Sequence, residues 1–169
     1  MRGARRLGFT IIEVLIVVAI LGVLAAMGMP SMRDLVASTK VKTATSDLFS
    51  SLVFARSEAI KRNAAVEVVP TVATNWNAGW QVRPAGTTQV LQAQDPITGD
   101  VAIGGPNVTL RYRGDGRLTD GGGVALDATF TFIATAYAHI QMRCIFIDPS
   151  GRPAVRVDRD RDPSNGCTA

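Results

Sequence analysis

A long apolar run near the N-terminus constrains this chain more than any other feature of its sequence. The run begins at Phe9 and ends at Met29, and Glu13 is the charged residue within it. As an α-helix these residues would extend about 31 Å, which matches the hydrocarbon core of one bilayer. The charged residues upstream of the run are all arginines, a pattern that keeps an N-terminus on the cytoplasmic side. The run therefore predicts a transmembrane helix over residues 9–29.

Glu13 is the unusual residue of this segment. Inserting a carboxylate into a membrane helix costs about 2.5–3.5 kcal/mol, and intramembrane acids usually have a partner. Glu13 would fall in the first helical turn, where the backbone dipoles offset part of its charge. Two interpretations follow: the carboxylate pairs with a second polypeptide, or it snorkels to the headgroups and has no further role.

The stretch Gly8–Glu13 (GFTIIE) resembles the class III signal of type IV pilins and type II secretion pseudopilins. The resemblance implies cleavage between Gly8 and Phe9 by a prepilin peptidase/N-methyltransferase, followed by N-methylation of Phe9. It also implies that Glu13 pairs with the terminal amine of a neighbouring subunit during assembly. Pro30, which follows the run, lies where many pilin helices bend.

An ordinary secretory signal cut near Ala25 and Ala26 is the alternative interpretation of the same run. Such signals have apolar regions of only 7–15 residues and do not need an acidic residue within them. The pilin-like interpretation accounts for both the length of the run and Glu13.

The basic composition does not by itself indicate a polyanionic partner. The chain has 18 Lys and Arg against 14 Asp and Glu, a formal net charge of +4. Three of the arginines lie in the first eight residues, so a chain cleaved after Gly8 keeps 15 basic and 14 acidic side chains. A protein so close to neutral has no global field that attracts nucleic acid, and any such site must be a local cluster.

Cys144 and Cys167 both lie beyond the predicted membrane segment, in the part that would be extracytoplasmic. An even pair of cysteines in an oxidising compartment favours a disulfide. That bond would constrain the unfolded chain by about 3 kcal/mol. Two unpaired thiols are the alternative.

The helix is predicted to continue as an amphipathic segment over residues 30–63, because residues 31–63 contain no Gly or Pro. Apolar residues recur there at steps of three and four, which predicts one buried stripe. The stripe consists of Val41, Ala44, Leu48, Leu52, Ala55 and Ala59. Polar residues lie largely on the other faces, so this segment is expected to pack on a domain along one side. Glu58 and Arg62 are spaced for a surface ion pair.

From residue 64 onward the sequence predicts short β-strands separated by Gly, Pro, Asn and Asp. The predicted strands are 66–69, 79–83, 88–93, 108–113, 128–134, 139–148 and 154–157, and the predicted loops are 75–79, 95–107 and 114–123. The alternation of Thr and Phe over 129–132 indicates a sheet with one solvated face. The predicted fold class is α+β: a long N-terminal helix, transmembrane in its first half, packed on an antiparallel sheet or sandwich formed by residues 64–169.

The segment Ala55–Arg62 (ARSEAIKR) is similar to the signature near the end of the long helix in the FimT and GspH group of pilin-like proteins. Members of that group often finish with a strand, a Gly-Arg turn and a cysteine near the C-terminus. The corresponding parts here are residues 144–147, the Gly151-Arg152 pair and Cys167.

A DNA-binding role is the alternative function that this resemblance implies. Some FimT proteins are DNA receptors for natural transformation and use a Gly-Arg-x-Arg motif in this region. Here the motif reads Gly151-Arg152-Pro153-Ala154, so the second arginine is absent and Arg156 is the nearest substitute. Strand alternation would place Arg152 and Arg156 on one face, where two guanidinium groups could hold phosphates without reading the base sequence.

Acidic residues in the same tail weaken that hypothesis. Asp158, Asp160 and Asp162 alternate with arginines and would cancel much of their attraction, so a solvated charged tail is the alternative. The three aspartates also have the opening spacing of a calcium loop. Pro163 stands where such a loop needs Gly, and no bidentate Glu follows, so no metal site is predicted.

Nothing in the sequence indicates catalysis or a cofactor. His139 and Ser150 have no catalytic partner beside them in the sequence, and Ser150 lacks the nucleophile-elbow pattern. The glycine-rich segments 114–117 and 120–123 are not followed by a helix, so they are predicted as hairpin loops rather than phosphate cradles. Trp76 and Trp80 are predicted as half-buried core residues, with an exposed sticky surface as the alternative.

Together these features predict a structural subunit rather than an enzyme. The resemblance implies a minor pilin or pseudopilin, in a tip or priming position of a type IV pilus or a type II secretion pseudopilus. Its partners would be other pilin subunits, the prepilin peptidase and the inner membrane, and its location would change from inner membrane to filament. The sequence does not separate the pilus from the secretion system, because both use the same helix.

Overall fold

The computed structural model describes residues 9–159 and Cys167, and for residues 26–31 it describes the backbone alone. The described chain forms two units, one ending at Leu35 and the other beginning at Val36. Helix α1, Ile11–Arg62, begins in the first unit and ends in the second.

The second half of α1 carries the predicted apolar stripe, and all six of its residues are buried. They pack into the main hydrophobic core, so the prediction of a helix that packs along one face is confirmed. The helix ends at Asn63, which adopts a left-handed backbone conformation (φ 47°). The N–H of Asn63 donates to the carbonyl of Ile60, and the N–H of Ala64 donates to the carbonyl of Ala59. These two bonds form a Schellman cap, with asparagine in the position that glycine more often occupies.

The β-strands follow in the order β1 to β9. Their bounds are β1 Val66–Val72, β2 Asn75–Pro84, β3 Gln92–Gln94, β4 Val101–Gly104, β5 Leu110–Tyr112, β6 Leu118–Thr119, β7 Ala128–Ala134, β8 Arg143–Ile147 and β9 Pro153–Val157. They form a five-stranded sheet of order β3-β2-β1-β5-β6 and a four-stranded sheet of order β4-β7-β8-β9. The strand pairings are antiparallel, as predicted.

The inward-facing residues of both sheets complete the core around the helical stripe. Its largest fully buried side chains include Trp76, Trp80, Tyr112, Phe130 and Phe132. Both tryptophans are therefore core residues, and the alternative of an exposed aromatic surface is wrong. Each indole N–H has a partner, since Trp80 Nε1 donates to Ser51 Oγ at 2.9 Å and Trp76 Nε1 donates to the Pro106 carbonyl at 3.2 Å.

Strand β7 has the predicted bounds, and its alternation is confirmed because Thr129 is exposed whereas Phe130 and Phe132 are buried. Three predicted loops were wrong in part. Segment 75–79 is the first half of β2, segment 95–107 contains β4, and segment 114–123 contains β6. β4 is short and pairs with the distant strand β7, and β6 has only two residues, so local composition does not distinguish them from loops.

Three other predicted strands are shorter than expected. Of segment 88–93 only its end enters β3, of segment 108–113 only Leu110–Tyr112 is extended, and of segment 139–148 only Arg143–Ile147 is extended. In the opposite direction, β1 continues past Pro70 to Val72 through an irregularity in its pairing with β2. A proline cannot donate to a ladder, and the irregularity is where the sheet accommodates it.

Candidate functional site

The N-terminal end of α1 carries the predicted assembly residues. Thr10 Oγ1 accepts a hydrogen bond from the backbone N–H of Glu13 at 3.3 Å, so Thr10 caps the first turn. Phe9 is 84% exposed, and Glu13 is exposed as well. Gly8, the other half of the predicted cleavage site, lies outside the described residues.

The large apolar side chains before and after Glu13 along the first unit are exposed. They are Ile11, Ile12, Val14, Leu15, Ile16, Val17, Val18, Ile20, Leu21, Val23 and Leu24. In the part of the chain that the structure describes, no helix combines the length and the apolar character needed to cross a membrane. The predicted membrane span thus stays a prediction.

Cys144 and Cys167 form a disulfide with a Cα–Cα distance of 6.0 Å. Cys144 lies on β8, and its side chain points to the face of the four-stranded sheet opposite the main core. There the disulfide forms a second, smaller cluster with the buried Met142 and the partly buried Ile133 and Phe146. The bond therefore holds Cys167 against the outer face of this sheet.

Arg156 and Arg152 are both exposed. Arg156 lies on β9, and Arg152 lies immediately before that strand. Arg156 lies opposite Cys144 in the β8–β9 pair, and its guanidinium stacks 4.9 Å from the ring centroid of Phe146. Arg152 lies beside Asp148, whose pKa is held below its usual range mainly by a hydrogen bond from Ser150, with the Arg152 charge contributing. Both guanidinium groups thus already have a neighbour that attracts them.

The turn that precedes β9 reveals a contact that sequence reasoning missed. Arg56 on α1 donates a hydrogen bond from Nε to the carbonyl oxygen of Gly116 at 3.0 Å. Gly151 has a φ of 76°, and a Cβ added there would overlap the same carbonyl oxygen. The Gly116 carbonyl oxygen is therefore the point where the helical segment Ala55–Arg62, the 114–117 loop and the Gly151-Arg152 turn meet.

Tyr112 lies next to this junction and is fully buried. A Cβ at Gly151 would lie 3.1 Å from Tyr112 Cε1, so the glycine also makes room for the ring. Among the residues that the structure describes, the Tyr112 hydroxyl has no hydrogen-bond partner. Burial raises the pKa of this hydroxyl, and the Arg56 charge opposes that rise.

A second missed feature is an ionic row across the outer face of the five-stranded sheet. Glu67 on the central strand β1 lies opposite Arg83 of β2 and Arg111 of β5. Arg111 donates to Glu67 Oε1 from Nη2 at 2.7 Å and from Nε at 3.2 Å, whereas Arg83 Nε is 3.5 Å from Oε2. Val66 and Val68, the neighbours of Glu67 along β1, face the core, whereas Glu67 faces outward and is nevertheless buried. A charged residue between two core positions could have indicated an ion pair from the sequence alone. The strand register that brings the two arginines to Glu67 is not visible in the sequence.

The remaining predictions of chemistry concern metal ions and catalysis. Asp158 is buried, whereas Asp160 and Asp162 lie outside the described residues. Residues 9–159 with Cys167 contain no group of three His, Cys, Asp or Glu side chains placed to hold a metal ion. His139 stacks edge-to-face with Tyr137 at a centroid distance of 6.1 Å. The 114–117 loop forms a turn in which Asp115 accepts from the N–H of Arg117, as expected of a hairpin connection.

Comparison with known proteins agrees with this arrangement. The family model for the type II transport protein GspH matches residues 44–157, and the model for the prokaryotic N-terminal methylation motif matches residues 3–29. The chain belongs to the GspH family of type IV pilin-like proteins. Its GspH-type domain includes the Arg56–Gly116–Gly151 junction, and its methylation motif includes Phe9 and Glu13.

Individual relatives of this GspH-family protein carry fimbrial names. It is 34% identical over 117 residues to the fimbrial protein EcpC of Eikenella corrodens, covering 63% of this chain and 73% of that protein. It is 30% identical over 125 residues to a fimbrial protein of Pseudomonas aeruginosa, covering 64% and 80%. In fold it is similar to the type IV minor pilin FimU of Pseudomonas aeruginosa PAO1, with a TM-score of 0.59, 18% identity and coverage of 73% and 92%. The predicted pilin-like α+β fold is therefore confirmed.

Proposed function

We propose that this GspH-family protein is a minor subunit of a type IV pilus. The observation that carries the proposal is the change in burial along α1. Its large apolar side chains are exposed from Ile11 to Leu24 and again at Met32, Leu35 and Val36, whereas the stripe that begins at Val41 is buried in the core of the same chain. An exposed apolar segment of this size needs lipid or other polypeptides around it. The names of the fimbrial relatives support the pilus as the assembly.

Processing and assembly follow from the N-terminal segment. The prepilin peptidase removes residues 1–8 by cutting between Gly8 and Phe9, and Phe9 is then N-methylated. Residues 9–29 anchor the protein in the inner membrane with residues 64–169 in the periplasm. On assembly the exposed apolar side chains pack against other subunits in the filament core.

Glu13 supplies the register of that packing. A carboxylate in hydrocarbon is costly, and the cost falls when a complementary charge arrives. The N-methylated terminal amine of a neighbouring subunit provides such a charge at a fixed height along the helix. Glu13 is exposed and therefore accessible to this partner.

The test is a Glu13→Ala variant in a strain that lacks the wild-type gene. We expect normal membrane insertion and normal processing, but loss of the tagged subunit from sheared filaments. Glu58→Gln is the matched control, because it removes a carboxylate from the same helix at a position paired within the chain. Normal incorporation of the Glu13→Ala subunit would refute the assembly role.

A type II secretion pseudopilus is the alternative assembly, since the family model takes its description from that system. Deletion of the gene distinguishes the two. Loss of surface pili with normal protein secretion supports the pilus, and loss of secretion with normal piliation supports the pseudopilus.

DNA binding is a second candidate function, favoured by the exposure of Arg152, just before β9, and of Arg156, on β9. Both could reach phosphates, although Phe146 and Asp148 already engage them. The test is a gel shift of the purified full-length protein at low salt. Arg152→Ala combined with Arg156→Ala should abolish a shift, whereas the exposed Arg117→Ala should not. Absence of any shift by the wild-type protein would end this hypothesis.

A further inference from the structure

The outer face of the five-stranded sheet carries an open pocket of about 360 Å³. Val69 of β1 and Gln81 of β2, which are cross-strand partners, contribute to it from the sheet. Pro70 and Thr74 line it from the β1–β2 hairpin, and Val108 lines it from the segment before β5. Arg83 also lines the pocket, so a cationic side chain lies among largely uncharged neighbours.

Arg83 is held only weakly by the residues that the structure describes. The Glu67 carboxylate is bonded on Oε1 by Arg111, whose Nη1 also donates to the Gly121 carbonyl at 2.7 Å. Arg83 reaches the same carboxylate only at 3.5 Å, and its buried Nε has no hydrogen-bond partner among the described residues. Two guanidinium groups thus share one carboxylate, which leaves one positive charge in excess at the wall of the pocket.

The pocket is held in shape by the core beneath it. The Trp76 indole bonds the Pro106 carbonyl, and a Cβ at Gly105 would lie 2.7 Å from both Trp76 and Phe130. The segment that carries Val108 is therefore fixed against the core. Thr74, which also lines the pocket, adopts a left-handed conformation with φ of 63°, which is strained for a β-branched residue.

We infer that this pocket binds a carboxylate group that is attached to a small apolar group. The guanidinium of Arg83 offers the charge-assisted, planar hydrogen bonding that a carboxylate accepts. The side chains of Val69, Pro70 and Val108 provide apolar contacts for the attached group, an arrangement typical of small-ligand sites. Such a carboxylate can come from the C-terminus of a polypeptide or from an acidic side chain within one.

The test uses the purified full-length protein in detergent, observed by its amide chemical shifts. N-acetyl-leucine is the probe with a free α-carboxylate, and N-acetyl-leucinamide is its neutral control. The peptide N-acetyl-Leu-Glu-amide presents a side-chain carboxylate instead. We expect saturable shifts at residues 69–74 and 107–109 with at least one carboxylate probe and none with the neutral amide.

Variants separate the charge from the shape of the pocket. Arg83→Gln should weaken binding about tenfold or more, because it removes a charged hydrogen-bond donor. Val108→Trp should abolish binding by filling the pocket while Arg83 is kept. Arg113→Gln is the matched control, since Arg113 is exposed and pairs with Asp115 away from the pocket, and it should bind as wild type.

The outcomes decide the inference. Binding of N-acetyl-leucine alone identifies a C-terminal carboxylate as the ligand group, and binding of the peptide alone identifies an acidic side chain. Equal binding of the neutral amide, binding unaffected by Arg83→Gln, or no binding of either carboxylate probe would overturn it. A folding defect in Arg83→Gln would show as shifts throughout the amide spectrum, and Val108→Trp then provides the test.

Discussion

Arg56 and Gly116 join the long helix to the loop between β5 and β6 through a hydrogen bond of 3.0 Å from Nε to the carbonyl oxygen. The same carbonyl lies against Gly151, in the turn between β8 and β9. Arg56, Gly116 and Gly151 belong to three segments of the chain, each at least 35 positions from the next. These three segments therefore meet at one backbone oxygen. Arg56 and Gly151 are thus linked through the Gly116 carbonyl.

Gly151→Ala should destabilise the protein by about 2 kcal/mol, because alanine is strained at positive φ and its Cβ would overlap the Gly116 carbonyl. Gly86→Ala is the matched control, since Gly86 has a φ of 73° with nothing within 4 Å of the added Cβ. It should cost about 1 kcal/mol from backbone strain alone. Urea unfolding of the purified chain measures both, and equal losses would show that the overlap has no energetic consequence.

Tyr112→Phe should raise the free energy of unfolding by about 1 kcal/mol, because it removes a buried hydroxyl that lacks a partner among the described residues. Tyr137→Phe, at a half-buried tyrosine, should leave stability unchanged. A loss of stability in Tyr112→Phe would mean that the hydroxyl makes a stabilising contact.

Alkaline pH should affect the same residue in a predictable direction. The pKa of Tyr112 is raised in the folded state above its ordinary value near 10, so the folded protein keeps the proton more tightly than the unfolded chain does. Below pH 10 the hydroxyl is protonated in both states and stability does not depend on its titration, whereas above pH 10 the unfolded chain loses the proton first and the free energy of unfolding falls. The stability of wild type should thus fall more steeply above pH 10 than that of Tyr112→Phe, as measured by urea unfolding at successive pH values.

Leu52→Ala should cost about 3 kcal/mol, because Leu52 is fully buried in the stripe of α1 and its truncation leaves a cavity. The adjacent Val53 is 45% exposed, and Val53→Ala should change stability by no more than about 0.5 kcal/mol. Thermal unfolding followed by circular dichroism compares the two variants. Similar losses would contradict the assignment of the buried face.

Reduction of the disulfide should lower stability by about 3 kcal/mol, since it releases a loop closed across 23 positions. The Cys144→Ser, Cys167→Ser double variant should show the same loss without reductant and no further change with it. A wild-type protein whose unfolding midpoint is indifferent to dithiothreitol would contradict this expectation.

Local patterns predicted the helix, its buried stripe and strand β7, because each depends on spacing within one segment. Glu67 and Arg111 stand 44 positions apart, and Arg56 and Gly116 stand 60 apart. Their contacts depend on strand register and on the docking of the helix, which a single sequence does not reveal. The short strand β4 was missed for the same reason, since it is stabilised by pairing with the distant β7. Strand β6 was missed because it has only two residues, too few for a strand pattern in the sequence, and it is stabilised by pairing with the nearby β5. The Arg83 pocket likewise depends on a hairpin and a loop that meet only in the fold.

The disulfide also determines how the molecule would bear tension. Strand β9 lies at the edge of its sheet, and a pull on the C-terminus would normally unzip such a strand one hydrogen bond at a time. Here β9 lies in sequence between the two bonded cysteines, so a force applied beyond Cys167 passes through the disulfide to Cys144 on β8. Strand β8 is paired on both sides, with β7 and β9. The last strand is thereby shielded from mechanical load.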